Sequence, residues 1–113
     1  MTPVDIQNLA DVIASWPLQI TVEVDHKKYL LAHAMTSAPG IEKPLTYYLM
    51  GSELNQSYLK NGIDDFISIC GHRTNADHSI WKNENVYMID CGCGFKSGRL
   101  GCLCLETKEE FYV

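Results

Sequence analysis

Two histidines in this chain occupy the same kind of place. His33 follows the apolar run that opens "YLLAHA", and His72 follows "FISICG" in the stretch "FISICGHRTNADHS". Each ring stands where a buried strand is expected to emerge into a loop. A side chain in that position can enter a cleft while the strand holds its backbone rigid. Neutral imidazole is the commonest nitrogen ligand for transition metals. Two such strand ends lying side by side would bring both rings to one ion. The competing reading is structural, with each ring hydrogen-bonded to a nearby carbonyl. His26 and His78 lie in polar loop sequence and are expected to be solvated.

Five cysteines offer a second chemistry: Cys70, Cys91, Cys93, Cys102 and Cys104. Their odd number and the absence of an export signal argue against a disulfide framework. Cys91 with Cys93, and Cys102 with Cys104, form two C-x-C pairs. Residues two apart in a strand share a face, so these thiols read first as small residues packed inward. A zinc site combining them with His72 or His78 is the alternative. Structural zinc usually spaces paired ligands as C-x₂₋₄-C, which C-x-C does not match.

The elements that must position these groups follow from pattern and punctuation. Thr2 and Pro3 read as an N-cap and first helical residue. Val4, Ile6, Leu9, Val12, Ile13 and Trp16 then recur at near-helical spacing up to Pro17, which predicts a helix packed as a cover on a sheet. Ile20, Val22 and Val24 alternate with polar residues, "DHKK" turns, and "YLLAHA" returns as a more buried strand. "TSAPGIEKP" is loop by composition. Leu54, Tyr58 and Leu59 suggest a short helix ended by Asn61 and Gly62. Beyond Asp65 the pattern is strands: "FISIC", "HSIWKN" and "NVYMIDC", the last two joined at Asn83, Glu84 and Asn85. A glycine-rich loop, "CGCGFKSG", leads to a final hairpin turning at Thr107 and Lys108. The expected fold is α/β (α+β), one mostly antiparallel or mixed sheet with an N-terminal helix and short helices on its face.

Composition bounds the function. The chain has 113 residues, 46% hydrophobic and 20% charged, which is globular and fits one domain over 1–113. Its net charge of −5, with nine dispersed Lys and Arg, argues against a nucleic-acid surface. No apolar run is long enough for a membrane span, and the N-terminus lacks the pattern of a signal peptide, so the expected compartment is the cytoplasm.

Four pieces in order carry a resemblance: "HAM" at 33–35, "GHR" at 71–73, "IDCG" at 89–92 and "GRLGCLCLE" at 98–106. Together they resemble the C-terminal half of calcineurin-like metallophosphoesterases, and most of all the serine/threonine phosphoprotein phosphatases with their bis-nucleosyl-tetraphosphatase relatives. The likeness spans residues 16–113, with the middle third poorly matched. It implies half of a two-sheet sandwich with outer helices. It also implies that His33 and His72 are ligands of one metal in a dinuclear site holding manganese, iron or zinc. A phosphorylated protein, a dinucleotide polyphosphate or a small phosphomonoester would be the substrate.

The family's first-half motifs, Gly-Asp-x-His, Gly-Asp-x-x-Asp-Arg-Gly and Gly-Asn-His-Glu or -Asp, do not occur in this sequence. Without them the bridging carboxylate is missing, and the chain by itself is expected to be inactive and to hold metal weakly. Residues 34–71 contain no arginine of the kind the family uses to grip phosphate. Arg73 stands where threonine is usual and is the one candidate anion contact; Met35 stands where glycine is usual. The chain is therefore expected to be a portion of a longer phosphatase. Alternatively it is a half that pairs with a separate polypeptide, or a degenerate relative. An edge and a face left uncovered would favour a homodimer. A non-catalytic interaction module and a small zinc-binding protein are the alternative functions.

Overall fold

A computed structural model describes residues 1–34, 37–51 and 56–113, with the backbone alone at 56 and 57. Thr2 caps helix α1 (Pro3–Ala14). Its hydroxyl accepts from the Asp5 amide at 3.2 Å and the Asp5 carboxylate accepts from the Thr2 amide at 2.8 Å, a reciprocal capping box. Strands β1 (Gln19–Val24) and β2 (Lys27–Ala32) pair antiparallel around Asp25 and His26. Both turn residues have left-handed φ, 49° and 63°, as the tight primed hairpin turn requires.

The chain then passes through two short helices, α2 (Leu45–Met50) and α3 (Gln56–Asn61), to strand β3 (Ile67–Cys70). Strand β4 (Trp81–Lys82) and strand β5 (Val86–Met88) follow, and β6 (Gly101–Leu103) pairs with β7 (Glu110–Tyr112) as a separate hairpin. The main sheet runs β1-β2-β3-β5-β4. Its two outer pairs are antiparallel, while β2–β3 and β3–β5 are parallel, so the sheet is mixed. Leu54 and Met35 lie outside the described residues.

Register sorts the central side chains onto two faces. Leu30, Ser68 and Val86 stand in one row and Cys70 with Met88 in the next. Tyr58, Leu59 and Ile63 pack on this face. The Tyr58 hydroxyl meets the Ser68 hydroxyl at 2.6 Å, so two buried polar groups satisfy each other. Asn83 and Asn85 donate to the Leu59 and Lys60 carbonyls, each at 2.6 Å, and so finish the end of α3. Gly62 turns there with φ 63°; a Cβ would lie 2.9 Å from the Asn85 oxygen, so only glycine fits.

The opposite face carries Tyr29, Ile69 and Tyr87, with Leu103 and Leu105 from the β6–β7 region packed on them. Lys82 and Glu110 form an ion pair at 2.5 Å, and the Ile80 amide donates to the Tyr112 hydroxyl at 3.1 Å. These contacts tie the small hairpin to the main sheet.

Three expectations need correction. Helix α1 forms but is no cover: none of its residues is buried, and Trp16 just beyond it is 61% exposed. The helix has an apolar stripe, but nothing among the described residues is built to receive most of it. The cysteines divide as well. Cys70 and Cys91 are buried, Cys93 and Cys102 are exposed, and Cys104 is half-buried. Leu103 and Leu105 take the inward side after residue 100, which leaves Cys102 and Cys104 in the outward phase. His78 is half-buried and hydrogen-bonded rather than solvated, whereas His26 is exposed. No helix among the described residues is long and apolar enough to cross a membrane.

Candidate metal centre

Parallel pairing decides where the histidines go. Strands β2 and β3 run side by side in the same direction, so the residues leaving their C-terminal ends emerge together. The Gly71 amide donates to the His33 carbonyl at 2.9 Å, which extends the ladder one step past the strands. A Cβ at Gly71 would lie 3.4 Å from that oxygen, an ordinary van der Waals contact. His72 then turns off with φ 68°. The carboxyl ends of parallel strands are the common site of ligand binding in α/β sheets.

The two rings meet. His33 Nε2 and His72 Nδ1 are 3.2 Å apart, and the ring centroids are 5.1 Å apart at an interplanar angle of 65°. One ring nitrogen donates to the other in this arrangement. The same separation suits a shared ion: with metal–nitrogen bonds of about 2.0–2.1 Å, it corresponds to a nitrogen–metal–nitrogen angle of about 100°. That lies between tetrahedral and octahedral bite angles. Both rings are exposed, so an ion could reach them from solvent.

The rings border a cleft of about 340 Å³, lined also by Asp90, Cys91, Cys93 and Arg99. Asp90 leaves the end of β5, the third parallel strand, and so arrives at the same edge as the histidines. Its Oδ1 accepts from the Gly92 amide at 2.9 Å and from the Thr74 hydroxyl at 3.4 Å. The carboxylate thus holds together the loops after β3 and β5. Gly92 has φ 72°, and a Cβ there would sit 2.7 Å from Thr74 Cγ2 and 2.9 Å from His78 Nδ1. The loop closes this tightly only with glycine at that position.

Arg99 lines the cleft, and His78 braces the loops behind it. His78 Nδ1 lies 3.1 Å from the Cys91 carbonyl oxygen and donates to it, which leaves Nε2 as the acceptor facing the Ser97 hydroxyl at 3.3 Å. Arg99 donates from Nε to the His78 carbonyl at 2.6 Å, and its guanidinium lies 3.8 Å over the Tyr112 ring. Arg73, the candidate anion contact, is exposed and does not line the cleft. Burial pushes the Cys91 thiol up and so keeps it protonated.

Of the sequence candidates, His33 and His72 come together and Arg73 stays outside. Asp90 and Arg99, from the pieces at 89–92 and 98–106, join the cleft although the sequence reading gives neither a role there. Asp90 carries a readable signal, an acidic residue directly after a buried apolar strand. Arg99 carries none, because its place depends on the return of the C-terminal hairpin. Among the described residues, no three His, Cys, Asp or Glu side chains are grouped to hold a metal ion. The imidazole pair thus offers two donors, and the thiols add no third. The chain matches no protein-family model and no curated protein.

Proposed function

We propose that this chain contributes two metal ligands, His33 and His72, and part of a cleft wall to a metal-dependent phosphoester hydrolase of the phosphoprotein phosphatase type. The observation that supports this reading is the 3.2 Å approach of the two ring nitrogens at the ends of adjacent parallel strands. The order of sequence pieces around them supports it independently. In this reading the five-stranded sheet is one layer of a two-sheet sandwich. The ion is manganese, iron or zinc, matching an imidazole and carboxylate ligand set. A bound divalent ion supplies Lewis-acid charge to a phosphoester. The chain's own residues do the positioning: the Gly71–His33 backbone bond fixes the spacing of the rings, and Asp90 fixes the loops beside them. Arg99 adds positive charge to a cleft meant for an anion.

Two imidazoles hold a divalent ion weakly, so the remaining ligands come from a further polypeptide segment. The chain alone is then a subsite rather than a catalyst, and the protein acts in the cytoplasm on a phosphorylated substrate. A small zinc protein is the less favoured reading, because the thiols do not gather with the histidines. A non-catalytic interaction module gains support from the exposure of α1.

Manganese and zinc titrations of the chain, followed by the ring proton resonances of His33 and His72, test the proposal. Both rings should shift together at weak affinity, and either His33→Ala or His72→Ala should weaken binding by more than about 10-fold. Hydrolysis of para-nitrophenyl phosphate with manganese should not exceed that of buffer. Tight stoichiometric zinc unaffected by His33→Ala would overturn the reading in favour of a thiol site. Turnover lost on His72→Ala would show a complete active site within this chain.

A further inference from the structure

We propose that the chain forms a two-fold homodimer by pairing strand β1 with β1 of a second copy, with helix α1 and the apolar row of β1 in the interface. The inference is independent of any phosphatase role. It starts from the sheet order, in which β1 is an outer strand six residues long. No described strand pairs with its far side, and such an edge is a template for another strand. Nothing blunts this edge: it carries no proline, no lysine and no inward charge, and Glu23 is its one ionised residue. The other outer strand, β4, has only two residues.

The surface beside that edge is apolar and open. Ile6, Leu9, Val12 and Ile13 on α1, Trp16 and Leu18 beyond it, and Ile20 and Val22 on β1 are all exposed. A groove of about 510 Å³ lies over the face of β1, β2 and β3, bounded by Ile13 and Trp16 at the end of α1 and by Tyr48 and Leu49 of α2. These eight exposed apolar side chains flank the edge, where a standard stable interface takes about 800 Å² from each partner. A helix of 12 residues with no packed face is marginal in water, so α1 needs a surface to lie against. The radius of gyration, 15.3 Å, exceeds the ~13 Å of a compact chain of this length, as an outlying helix requires.

A second copy fits this surface in three ways. Antiparallel β1–β1 pairing about a two-fold axis normal to the sheet is self-complementary, with either Thr21 or Val22 on the axis. Both registers keep the same face of each copy on the same side, so the rows of Ile20, Val22 and Val24 join. Both set Glu23 opposite an uncharged residue, Gln19 or Thr21, so no like charges meet. The third fit is electrostatic. The pairing brings the partner's Lys27, on the same face as Val24 and Ile20, toward the C-terminal end of α1. That helix carries Asp5 and Asp11, no Lys or Arg, and no basic residue in its last turn. Cations there complement the helix dipole, and Trp16 offers them an aromatic face.

Sedimentation velocity of the full chain from about 5 to about 500 µM is the test, together with Val22→Lys; the range spans the micromolar affinities expected of a modest interface. The wild type should be a dimer at the upper end. Val22→Lys, which places two lysines at or beside the axis, should raise the dissociation constant about 100-fold or more. Far-ultraviolet circular dichroism checks that the variant folds. A second measurement needs no variant: the β1 amides pointing away from β2 should exchange more slowly as wild-type concentration rises. A chain that stays monomeric at the highest concentration overturns the proposal and leaves the edge to another polypeptide. A dimer whose outward β1 amides exchange equally fast at all concentrations also overturns it.

Discussion

The centre of the sheet and its N-terminal border are written in similar residues and end in opposite environments. Leu30 in β2 and Val86 in β5 are completely buried, in a sheet with α3 packed on one face and the β6–β7 region on the other. Leu9 in α1 and Ile20 in β1 are equally apolar and each 49% exposed. The difference is not one of composition or periodicity. The centre receives covering elements from later in its own chain, and the border receives none among the described residues. Amphipathic pattern therefore states which side of an element wants to be buried, and supply of a partner decides whether it is.

Paired truncations are the strongest way to break this comparison. Leu30→Ala should cost about 2–5 kcal/mol of unfolding free energy, because it opens a cavity in a closed site. Leu9→Ala in dilute solution should cost less than about 0.5 kcal/mol, as for an ordinary surface change. Urea denaturation at low micromolar concentration measures both. Equal costs would mean that α1 is covered in solution even in the monomer.

A smaller effect sharpens the account of the centre. Tyr58→Phe removes the partner of the Ser68 hydroxyl and should cost about 1–3 kcal/mol. Burial pushes both the Tyr58 hydroxyl and the Cys70 thiol up. The unfolded chain therefore releases these protons at lower pH than the folded one. Their stabilising contribution is complete below the ordinary thiol value of 9.0 and is lost as pH rises above it. Urea midpoints from about pH 7 to about pH 10.5 should fall across the alkaline range, and less steeply in Tyr58→Phe.

The smallest expected effect belongs to the border. Thr2→Ala removes one side of the capping box and should cost α1 about 1 kcal/mol of local stability. The melting temperature should hardly move, because α1 is weakly joined to the rest. Helical circular dichroism reads the change. Hydrogen bonds from the Thr2 backbone amide and then its hydroxyl hold the Asp5 carboxyl below its usual 3.8. The support they give is present above that value and fades as pH falls through the depressed one. Wild-type helicity should decline there, and Thr2→Ala should show less of that decline.

Local grammar makes much of this molecule legible. Thr2-Pro3 marks the start of α1, Asp25-His26 the first turn, Gly62 the end of α3, and Lys108 the turn of the last hairpin. The imidazole pair is legible too, because two apolar strands ending in histidine need only be parallel neighbours for the rings to meet. The rest depends on distance in sequence. Whether α1 is covered turns on what lies opposite it. The phase of Cys102 and Cys104 is set by leucines competing for the same inward side. His78 becomes a hydrogen-bonded, half-buried residue because the Cys91 carbonyl and Ser97 return from thirteen and nineteen positions away. No window along the chain carries that information.

The left-handed backbone of His72 bears on how the position should be interpreted. Histidine is among the side chains that tolerate a φ of 68°, and His26 and His78 adopt the same left-handed backbone, so the conformation alone does not mark the ring for chemistry. What the corner supplies is direction: it carries the imidazole off the line of β3 and back to the ring at the end of β2.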